Sequence, residues 1–293
     1  MSLRFQQVAL IGKHPTAQGG TPPAVLHGIA QTLQAEGCTV TLDELTAEIS
    51  GVKDWPYESL AGIGKKCDLA VVVGGDGTML AAARTLAHDG IPLIGINQGR
   101  LGFITDIALD DYASTLQAML HGDYVEHQRS LIDAQVERAG EIIMEATAMN
   151  DVVVNRGSSA GLVELRVEID GHFVANHRAD GLIVATPTGS TAYALSAGGP
   201  ILHPGMGGFV MVPISPHNLS NRPIALPDSV HITIEIVAAK EVTANFDMQS
   251  IKHLQPGDRI LIQRAQKSAR MLHPRGWSYY DTLRHKLHWN EHN

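Results

Sequence analysis

The first 125 residues alternate short apolar runs with amphipathic stretches, a pattern typical of strands and helices on a parallel sheet. The run at 68–73 is almost wholly apolar, as expected for a strand whose two faces are covered by helices. A helix starts after Thr21, where two prolines follow, and stops at Gly37. We therefore predict strands at 8–11, 38–42, 68–73 and 92–96, and further helices at 78–88 and 110–122.

Near Tyr124 the pattern changes to repeated strands with tight turns. Residues 162–169 alternate between apolar and polar and are followed by Asp170-Gly171, a dipeptide suited to a type I′ hairpin. Residues 231–236 alternate again, and a turn at 255–258 precedes a strand at 259–263. Apolar residues at helical spacing between 279 and 287 predict a last helix that packs on the first domain. The pattern indicates an α/β half followed by an all-β half.

Composition excludes several classes of protein. Among 293 residues, 22 Lys and Arg face 30 Asp and Glu, a net charge of −8. No basic cluster suits nucleic acid or an anionic membrane, and no stretch approaches the ~18 apolar residues of a membrane span. The N-terminus has no secretory signal, and the two cysteines, Cys38 and Cys67, are too few for a disulfide framework. We expect a cytoplasmic globular protein with reduced thiols.

The segment Gly74-Gly75-Asp76-Gly77-Thr78 lies between a buried strand and a helix start, where open α/β sheets bind ligands. Its glycines allow close approach of a phosphate, and the helix start and Thr78 offer hydrogen-bond donors. Asp76 would repel a phosphate, so it accepts a proton, holds a metal or binds a ribose hydroxyl. A turn with a capping aspartate is the alternative without function. The common P-loop and dinucleotide fingerprints are absent, which disfavours a P-loop ATPase and an ordinary dehydrogenase.

Two further clusters flank predicted strands. The segment 97–103, Asn-Gln-Gly-Arg-Leu-Gly-Phe, follows the strand at 92–96, and its glycines would line the same crevice. Arg178 and Asp180-Gly181 precede a strand at 182–185, and 186–193 follows it with hydroxyls for a ribose or phosphate and an aromatic face for a base. A glycine-rich turn and a Ser/Thr helix cap are the structural alternatives for these two clusters.

These motifs, together with Asn150-Asp151 and the segment 196–200, occur in the order and at the separations of one enzyme family. Over essentially the whole chain, the sequence resembles the bacterial and archaeal type of NAD kinase. The Gly-Gly-Asp-Gly-Thr motif is shared with diacylglycerol kinase, sphingosine kinase and phosphofructokinase relatives, whereas the segment 186–193 is far more specific. The resemblance implies transfer of the γ-phosphate of ATP, with a divalent cation such as Mg²⁺, to the 2′-hydroxyl of the adenosine ribose of NAD, yielding NADP.

The resemblance also implies an architecture. A Rossmann-like α/β domain that binds ATP is expected at 1–124 plus 274–293, and a β-sandwich domain that binds NAD at 125–273. The C-terminal segment returns to the first domain. A homodimer or homotetramer is expected, with neither nucleic acid nor membrane as a partner.

The same resemblance carries roles over to single residues. Asp76 becomes the catalytic base, and Asn150 and Asp151 the pair that holds the NAD ribose, with Asp151 standing where the family more often has the longer Glu. Arg178 and Asp180 match positions near the nicotinamide half. No metal ligand is assigned to the chain. The residues expected to bind nucleotide are Gly74, Gly75, Gly77, Thr78, Asn97, Gly99, Asn150, Asp151, Arg178, Asp180, Thr188, Thr191, Ala192, Tyr193, Ser196 and Gln249.

Two other functions stay open at this point. A lipid or sphingoid-base kinase would share the glycine motif but would need a basic or apolar surface to take its substrate from a membrane. A nucleotide-binding sensor would keep the pocket without transfer, although such a protein gains nothing from Asp76. His285, His288 and His292 recur on one face of the last helix and could bind zinc, but a solvated helix end is the simpler interpretation.

Overall fold

The computed structural model describes residues 3–13, 19–99, 102–157 and 161–289. The chain forms two compact units: unit 1 comprises 1–128 and 269–293, and unit 2 comprises 129–268. The two changes of unit fall within long strands, at 124–138 and 259–274. The domain limits expected from the sequence fall within the same two strands.

The strands and helices have the following bounds. The strands are β1 (Gln7–Gly12), β2 (Thr39–Asp43), β3 (Tyr57–Glu58), β4 (Leu69–Gly74), β5 (Pro92–Asn97), β6 (Ile107–Ala108), β7 (Tyr124–Arg138), β8 (Glu141–Ala148), β9 (Asp151–Arg156), β10 (Val163–Ile169), β11 (His172–Ala179), β12 (Gly181–Ala185), β13 (Gly208–Ile214), β14 (Ile224–Pro227), β15 (Ile232–Ala238), β16 (Val242–Phe246), β17 (Ser250–Leu254) and β18 (Arg259–Pro274). The helices are α1 (Pro23–Ala35), α2 (Glu44–Ser50), α3 (Leu60–Lys66), α4 (Asp76–Leu86), α5 (Tyr112–Leu120), α6 (Tyr193–Ser196) and α7 (Tyr279–Leu287).

Unit 1 is built on a parallel sheet in the order β3-β2-β1-β4-β5, with the end of β18 beside β5. Every residue of β4 and β5 is buried, which is why both strands are apolar along their length. In α1, Leu26, Ile29 and Leu33 recur at helical spacing and face the core. The α/β half predicted from the sequence is confirmed.

Unit 2 is an antiparallel sandwich. One sheet runs β11-β10-β15-β18 and continues through β7 to β8, and the other runs β14-β13-β12-β9-β16-β17. Alternate residues of both sheets fill one core, with Leu165 and Ile234 from the first sheet and Val184 and Phe246 from the second. The predicted all-β half and its sandwich architecture are confirmed.

Local predictions hold where turn chemistry is strong. Asp170 and Gly171 have φ values of 50° and 76°, as a type I′ hairpin requires. The Asp258 amide donates to the Gln255 carbonyl at 3.1 Å, which closes the predicted turn. The last helix forms as α7, and it belongs to unit 1.

Two predicted bounds were wrong. The strand expected at 259–263 continues to Pro274. The helix expected at 78–88 begins at Asp76, because Gly75 is extended and takes the position before the first turn. Asp76 therefore lies inside the helix, where the positive end of the helix dipole favours a carboxylate.

Candidate active site

A cleft of about 470 Å³ opens at one edge of the parallel sheet in unit 1. Strands β1, β4 and β5 are neighbours in register, so the residues that follow them come together at their carboxyl ends. The lining includes Lys13 after β1, Gly74 and Gly75 at the end of β4, and residues 97–99 at the end of β5. Lys13 is the one charged residue in the described lining. The first two predicted motifs are thus brought to one cleft.

The two glycines at the end of β4 serve different purposes. A Cβ on Gly74 would come within 2.5 Å of Thr78 Oγ1, so the protein itself excludes a side chain there. A Cβ on Gly75 would meet nothing within 4 Å. Gly75 lines the cleft, has extended backbone and precedes the first turn of α4. Free space beside the start of a helix suits the close approach of a phosphate.

Asp76 directly follows these glycines, and its carboxylate is held by a loop that follows β5. Oδ2 accepts from the Phe103 amide at 2.8 Å, and Oδ1 accepts from the Ile104 amide at 3.2 Å and from Thr105 Oγ1 at 3.1 Å. A Cβ on Gly102 would lie 2.0 Å from Asp76 Oδ1, so glycine is required where this loop meets the carboxylate. The side chain of Asp76 is fixed in one position.

Asn97 is 4% exposed, and its amide contacts the protein on both sides. Asn97 Nδ2 donates to Thr105 Oγ1 at 2.8 Å, and Asn97 Oδ1 accepts from the Gly99 amide at 2.7 Å. The sequence singled out Asn97 and Gly99 as nucleotide-binding, and the structure adds a positioning role for Asn97. Arg100 and Leu101, which belong to the same motif, lie outside the described residues.

In unit 2, three segments meet at one end of the second sheet. Asp151 opens β9 and pairs with Ala185 at the end of β12, and Val152 pairs with Phe246 at the end of β16. Residues 149–151, 186–191 and 246–249 are therefore neighbours. Asn150 and Asp151, the segment at 186–191 of the third predicted motif, and Gln249 therefore lie together.

Asp247 ties the first of these segments in place. Its carboxylate accepts from the amides of Met149 at 2.8 Å, Asn150 at 2.8 Å and Asp151 at 3.0 Å. Asp247 has a φ of 53°, and Met248 after it has a φ of 55°. This tight left-handed turn brings the carboxylate back over three consecutive N–H groups.

The segment after β12 is fixed to the same backbone. Thr186 Oγ1 donates to the Met149 carbonyl at 2.5 Å, and the Thr186 amide donates to the Asn150 carbonyl at 2.9 Å. A Cβ on Gly189 would lie 2.0 Å from the Asn150 carbonyl oxygen, so only glycine fits there. These contacts fix the backbone around Asn150.

Asp151 is 3% exposed. Burial raises the pKa of its carboxyl to about 7, and the negative charge of Asp247 adds to the rise. The carboxyl therefore changes charge near neutral pH. An ionised Asp151 offers acceptor oxygens for sugar hydroxyls, whereas a protonated Asp151 also donates.

The remaining predicted residues of this cluster differ in exposure. Thr188 is 8% exposed, and Thr191 Oγ1 donates to its carbonyl at 3.0 Å. Tyr193 is 38% exposed at the start of α6, where its ring can receive a base. Ala192 lies just before α6 and Ser196 ends it. Gln249 is exposed, and its amide closes the turn by donating to the Phe246 carbonyl at 3.0 Å.

Arg178 and Asp180 do not join this cluster. They lie before β12, whereas the segment at 186–191 follows it, and six residues of extended chain span roughly 20 Å. Arg178 Nε pairs with Glu164 at 2.9 Å, and Asp180 pairs with Arg156 Nε at 2.8 Å. Both residues are engaged at the opposite end of the strand.

No three His, Cys, Asp or Glu side chains come together as a metal site in the described parts of the chain. His285 and His288 are described, and His292 lies outside the described residues. Within those same parts, no helix is long and apolar enough to cross a membrane.

A phosphate cleft and a fixed carboxylate beside it are what phosphoryl transfer to an alcohol requires. The fold and this site define a phosphotransferase with an alcohol acceptor. Family models of the ATP-NAD kinase N-terminal domain and C-terminal domain match residues 25–124 and 149–273. The chain belongs to the NAD kinase family.

Individual relatives agree with this assignment. An NAD kinase of Polaromonas sp. strain JS666 is 60% identical over 291 residues, which covers 99% of each chain. The crystal structure of yeast NADH kinase complexed with NADH is 26% identical with a TM-score of 0.87, over 99% of this chain and 90% of that chain. An NAD kinase from Archaeoglobus fulgidus in complex with ATP has the same fold, with 23% identity, a TM-score of 0.75 and coverage of 97% and 99%.

Sequence reasoning missed three contributors to the two sites. Lys13 follows β1 and lines the cleft, and a position after a parallel strand was the available signal. Thr105 and Asp247 act through hydrogen bonds to residues 29 and 96 to 98 positions away. No local sequence pattern predicts such long-range contacts.

Proposed function

We propose that this chain transfers the γ-phosphate of ATP to the 2′-hydroxyl of the adenosine ribose of NAD, with Asp76 as the base. The observation that carries the proposal is the fixed carboxylate of Asp76, which accepts three hydrogen bonds directly after the glycines of the cleft. A carboxylate in that position would repel a phosphate, but it can accept the proton of a hydroxyl nucleophile. Family membership supports the choice of ATP and NAD.

Unit 1 binds the ATP phosphates in this proposal. Gly75 leaves room for a phosphate, the start of α4 donates N–H groups, and Lys13 supplies a positive charge. Mg²⁺ bound with ATP neutralises charge on the phosphate oxygens. The ion would enter with ATP and take its ligands from phosphate and water, and no side chain of the described residues is assigned to it. The residues that form this proposed site are Gly74, Gly75, Gly77, Thr78, Asn97 and Gly99.

Unit 2 binds NAD in this proposal. Asn150 and Asp151 hold the ribose, and the exposed ring of Tyr193 stacks on the adenine. The site is completed by Thr188, Thr191, Ala192, Ser196 and Gln249. The complex of yeast NADH kinase with NADH supports a dinucleotide as the ligand. Asp151 is one methylene shorter than Glu, and the rigid backbone at 149–151 sets its position.

The reaction asks the protein mainly for alignment. The transferred phosphoryl group passes through a loose transition state, so the nucleophile and the leaving group must lie in line. As the 2′-oxygen bonds to phosphorus, its proton passes to Asp76, and the bond between phosphorus and the bridging oxygen of ADP breaks. A positioned general base contributes a factor on the order of 10² to 10⁴ in rate.

Arg178 and Asp180 lie roughly 20 Å along the chain from the ribose cluster, by the rise of an extended strand. In this proposal, a second copy of the chain presents them to the nicotinamide half. We accordingly propose a homo-oligomer, a dimer or a tetramer, as the working form. The two free cysteines, Cys38 and Cys67, are buried, and we propose the cytoplasm as the compartment.

The direct test is incubation of the purified chain with ATP, Mg²⁺ and NAD, with NADP measured by a dehydrogenase that uses NADP alone. NADP formation that depends on all three components supports the proposal. Phosphorylation of a diacylglycerol or sphingoid base, with no NADP formed, would instead indicate a lipid kinase. Binding of both nucleotides without transfer would indicate a sensor.

A further inference from the structure

The hydrogen bonds between Asn97, Thr105 and Asp76 have one possible direction. Asn97 Oδ1 accepts from the Gly99 amide, so the side of Asn97 that faces Thr105 must be its NH₂ group. Thr105 Oγ1 therefore accepts from Asn97 Nδ2 at 2.8 Å and uses its own proton to donate to Asp76 Oδ1 at 3.1 Å. Thr105 is fully buried, so water does not replace either bond.

This direction makes the two oxygens of Asp76 unequal. Oδ1 accepts two hydrogen bonds, from Thr105 Oγ1 and from the Ile104 amide. Among the residues that the structure describes, Oδ2 accepts one, from the Phe103 amide at 2.8 Å. A carboxylate oxygen has two lone pairs, so Oδ1 is saturated and Oδ2 keeps one lone pair. With Asn97 donating to Thr105 from the other side, Asp76 Oδ1 is the acceptor that the described residues offer to the Thr105 proton.

We propose that Thr105 is a positioning residue that saturates Oδ1 of Asp76 and so reserves Oδ2 for the proton of the substrate hydroxyl. The inference rests on the proposed function and names the atom that accepts the proton. The 2′-oxygen bonds to phosphorus, its proton moves to Oδ2, and ADP leaves with the electrons of the broken phosphorus–oxygen bond. The proton then passes from Oδ2 to solvent.

The loop at 102–106 is itself fixed on its far side. A Cβ on Gly95 would lie 2.9 Å from the Ile104 carbonyl oxygen, so the loop packs directly on β5. Asp106 Oδ2 pairs with His273 Nδ1 at 2.7 Å, and both side chains are at most 4% exposed. The His273 ring stacks on Trp277 with centroids 3.9 Å apart. Thr105 is held between two fixed neighbours, as a positioning role requires.

The test compares Thr105→Ser with Thr105→Ala. Both variants lose the γ-methyl group, and they differ from each other only in the hydroxyl. We expect Thr105→Ser to keep most of the wild-type kcat for NADP formation. We expect Thr105→Ala to lose about 10- to 100-fold in kcat, the scale of a misplaced catalytic group, with the KM for NAD and for ATP within about 3-fold of wild type.

Thr32 provides a matched control, because its hydroxyl donates only to the Gly28 carbonyl of its own helix at 2.9 Å. Thr32→Ser and Thr32→Ala should have equal kcat. Thermal unfolding of each variant separates a loss of fold from a loss of alignment. If Thr105→Ala does not fold, Thr105→Val takes its place, since Val keeps the volume and removes only the hydrogen-bonding group.

Two outcomes would overturn the inference: a Ser variant with the same kcat as the Ala variant, or a loss that appears in KM alone. A wild-type chain that forms no NADP would overturn the proposed function instead. The two failures are thus distinguishable in one set of assays.

Discussion

Asp76 and Asp151 are two aspartates in predicted sites, and their carboxylates differ in burial and in hydrogen bonding. Asp76 is half-buried and accepts three hydrogen bonds from the loop after β5. Asp151 is 3% exposed, and the backbone N–H groups beside it, including its own, donate to Asp247. Burial and the nearby Asp247 raise the pKa of Asp151 to about 7. The same side chain is thus held by three donors in one unit and changes charge near neutral pH in the other.

The difference lies in where backbone N–H groups point. In unit 1 the amides of Phe103 and Ile104 donate to the functional carboxylate itself. In unit 2 the amides of residues 149–151 donate to Asp247, which leaves Asp151 to the ligand. A base must keep its position, whereas a residue that binds a ribose needs oxygens that do not already accept hydrogen bonds from the protein.

The largest expected effect comes from Asp76→Asn. The amide cannot accept the hydroxyl proton, so NADP formation should fall by a factor on the order of 10² to 10⁴. NAD binding should change little, since the ribose residues of the proposal lie in unit 2. Turnover assays and calorimetric titration with NAD measure the two quantities.

Asp281→Asn is the matched control, because Asp281 also lies in the first turn of a helix. It should leave NADP formation unchanged. A near wild-type rate in Asp76→Asn would remove the base assignment and, with it, the contrast between the two aspartates.

Asp247→Ala should have the next largest effect, on stability. It leaves three N–H groups without their acceptor, two of these bonds being buried and one half-buried. At about 1 to 3 kcal/mol for each buried unsatisfied group, we expect the free energy of unfolding to fall by about 3 to 5 kcal/mol. Chemical denaturation measures this loss.

Asp170→Ala is a close control for that substitution. Asp170 has a similar φ of 50°, and its carboxylate accepts from one exposed amide, that of His231 at 2.8 Å. Loss of this carboxylate should lower the free energy of unfolding by about 1 kcal/mol. Equal losses in the two variants would show that Asp247 does not organise the segment at 149–151.

The contrast between the two aspartates was beyond the reach of the sequence. Strands β4 and β5 could be predicted because a buried parallel strand must be apolar along its length, and the hairpin at Asp170 because few dipeptides adopt two positive φ values. The partners of Asp76 are fixed by the packing of a loop 27 to 29 residues away. The short helix α2, stabilised by one cap at Asp43, has too few residues to show a period.

Asp151→Asn should raise stability and lower affinity for NAD. The carboxyl has a pKa of about 7 in the folded chain against an ordinary value of 3.8 in the unfolded chain, so the folded state holds the extra proton between these values. Stability therefore falls as pH rises from about 4 to 7, because the unfolded chain binds fewer protons there. At pH 8 the neutral amide should add on the order of 2 to 4 kcal/mol to the free energy of unfolding, and at pH 4 little.

In the wild type, the affinity for NAD should rise with pH, whereas the free energy of unfolding falls. Ionised Asp151 accepts sugar hydroxyls, so the KM for NAD should fall as pH rises from 6 to 8, and in Asp151→Asn this dependence should be absent. Asp133→Asn, a half-buried strand aspartate that accepts from Thr147 Oγ1, is the control and should keep it. A flat KM in the wild type would contradict the role given to Asp151.

The smallest expected effect comes from Met248→Gly. Met248 is 62% exposed and has a φ of 55°, a conformation that costs a side-chain-bearing residue roughly 1 to 2 kcal/mol and glycine almost nothing. After the entropy that glycine loses on folding, the free energy of unfolding should rise by about 0.5 to 1 kcal/mol. Denaturation measures the gain, and Ala139→Gly, at an exposed turn with a φ of 51°, should give a similar one. If only Met248→Gly destabilises, its side chain contributes to the Asp247 turn, and the order of that site does not come from backbone hydrogen bonds alone.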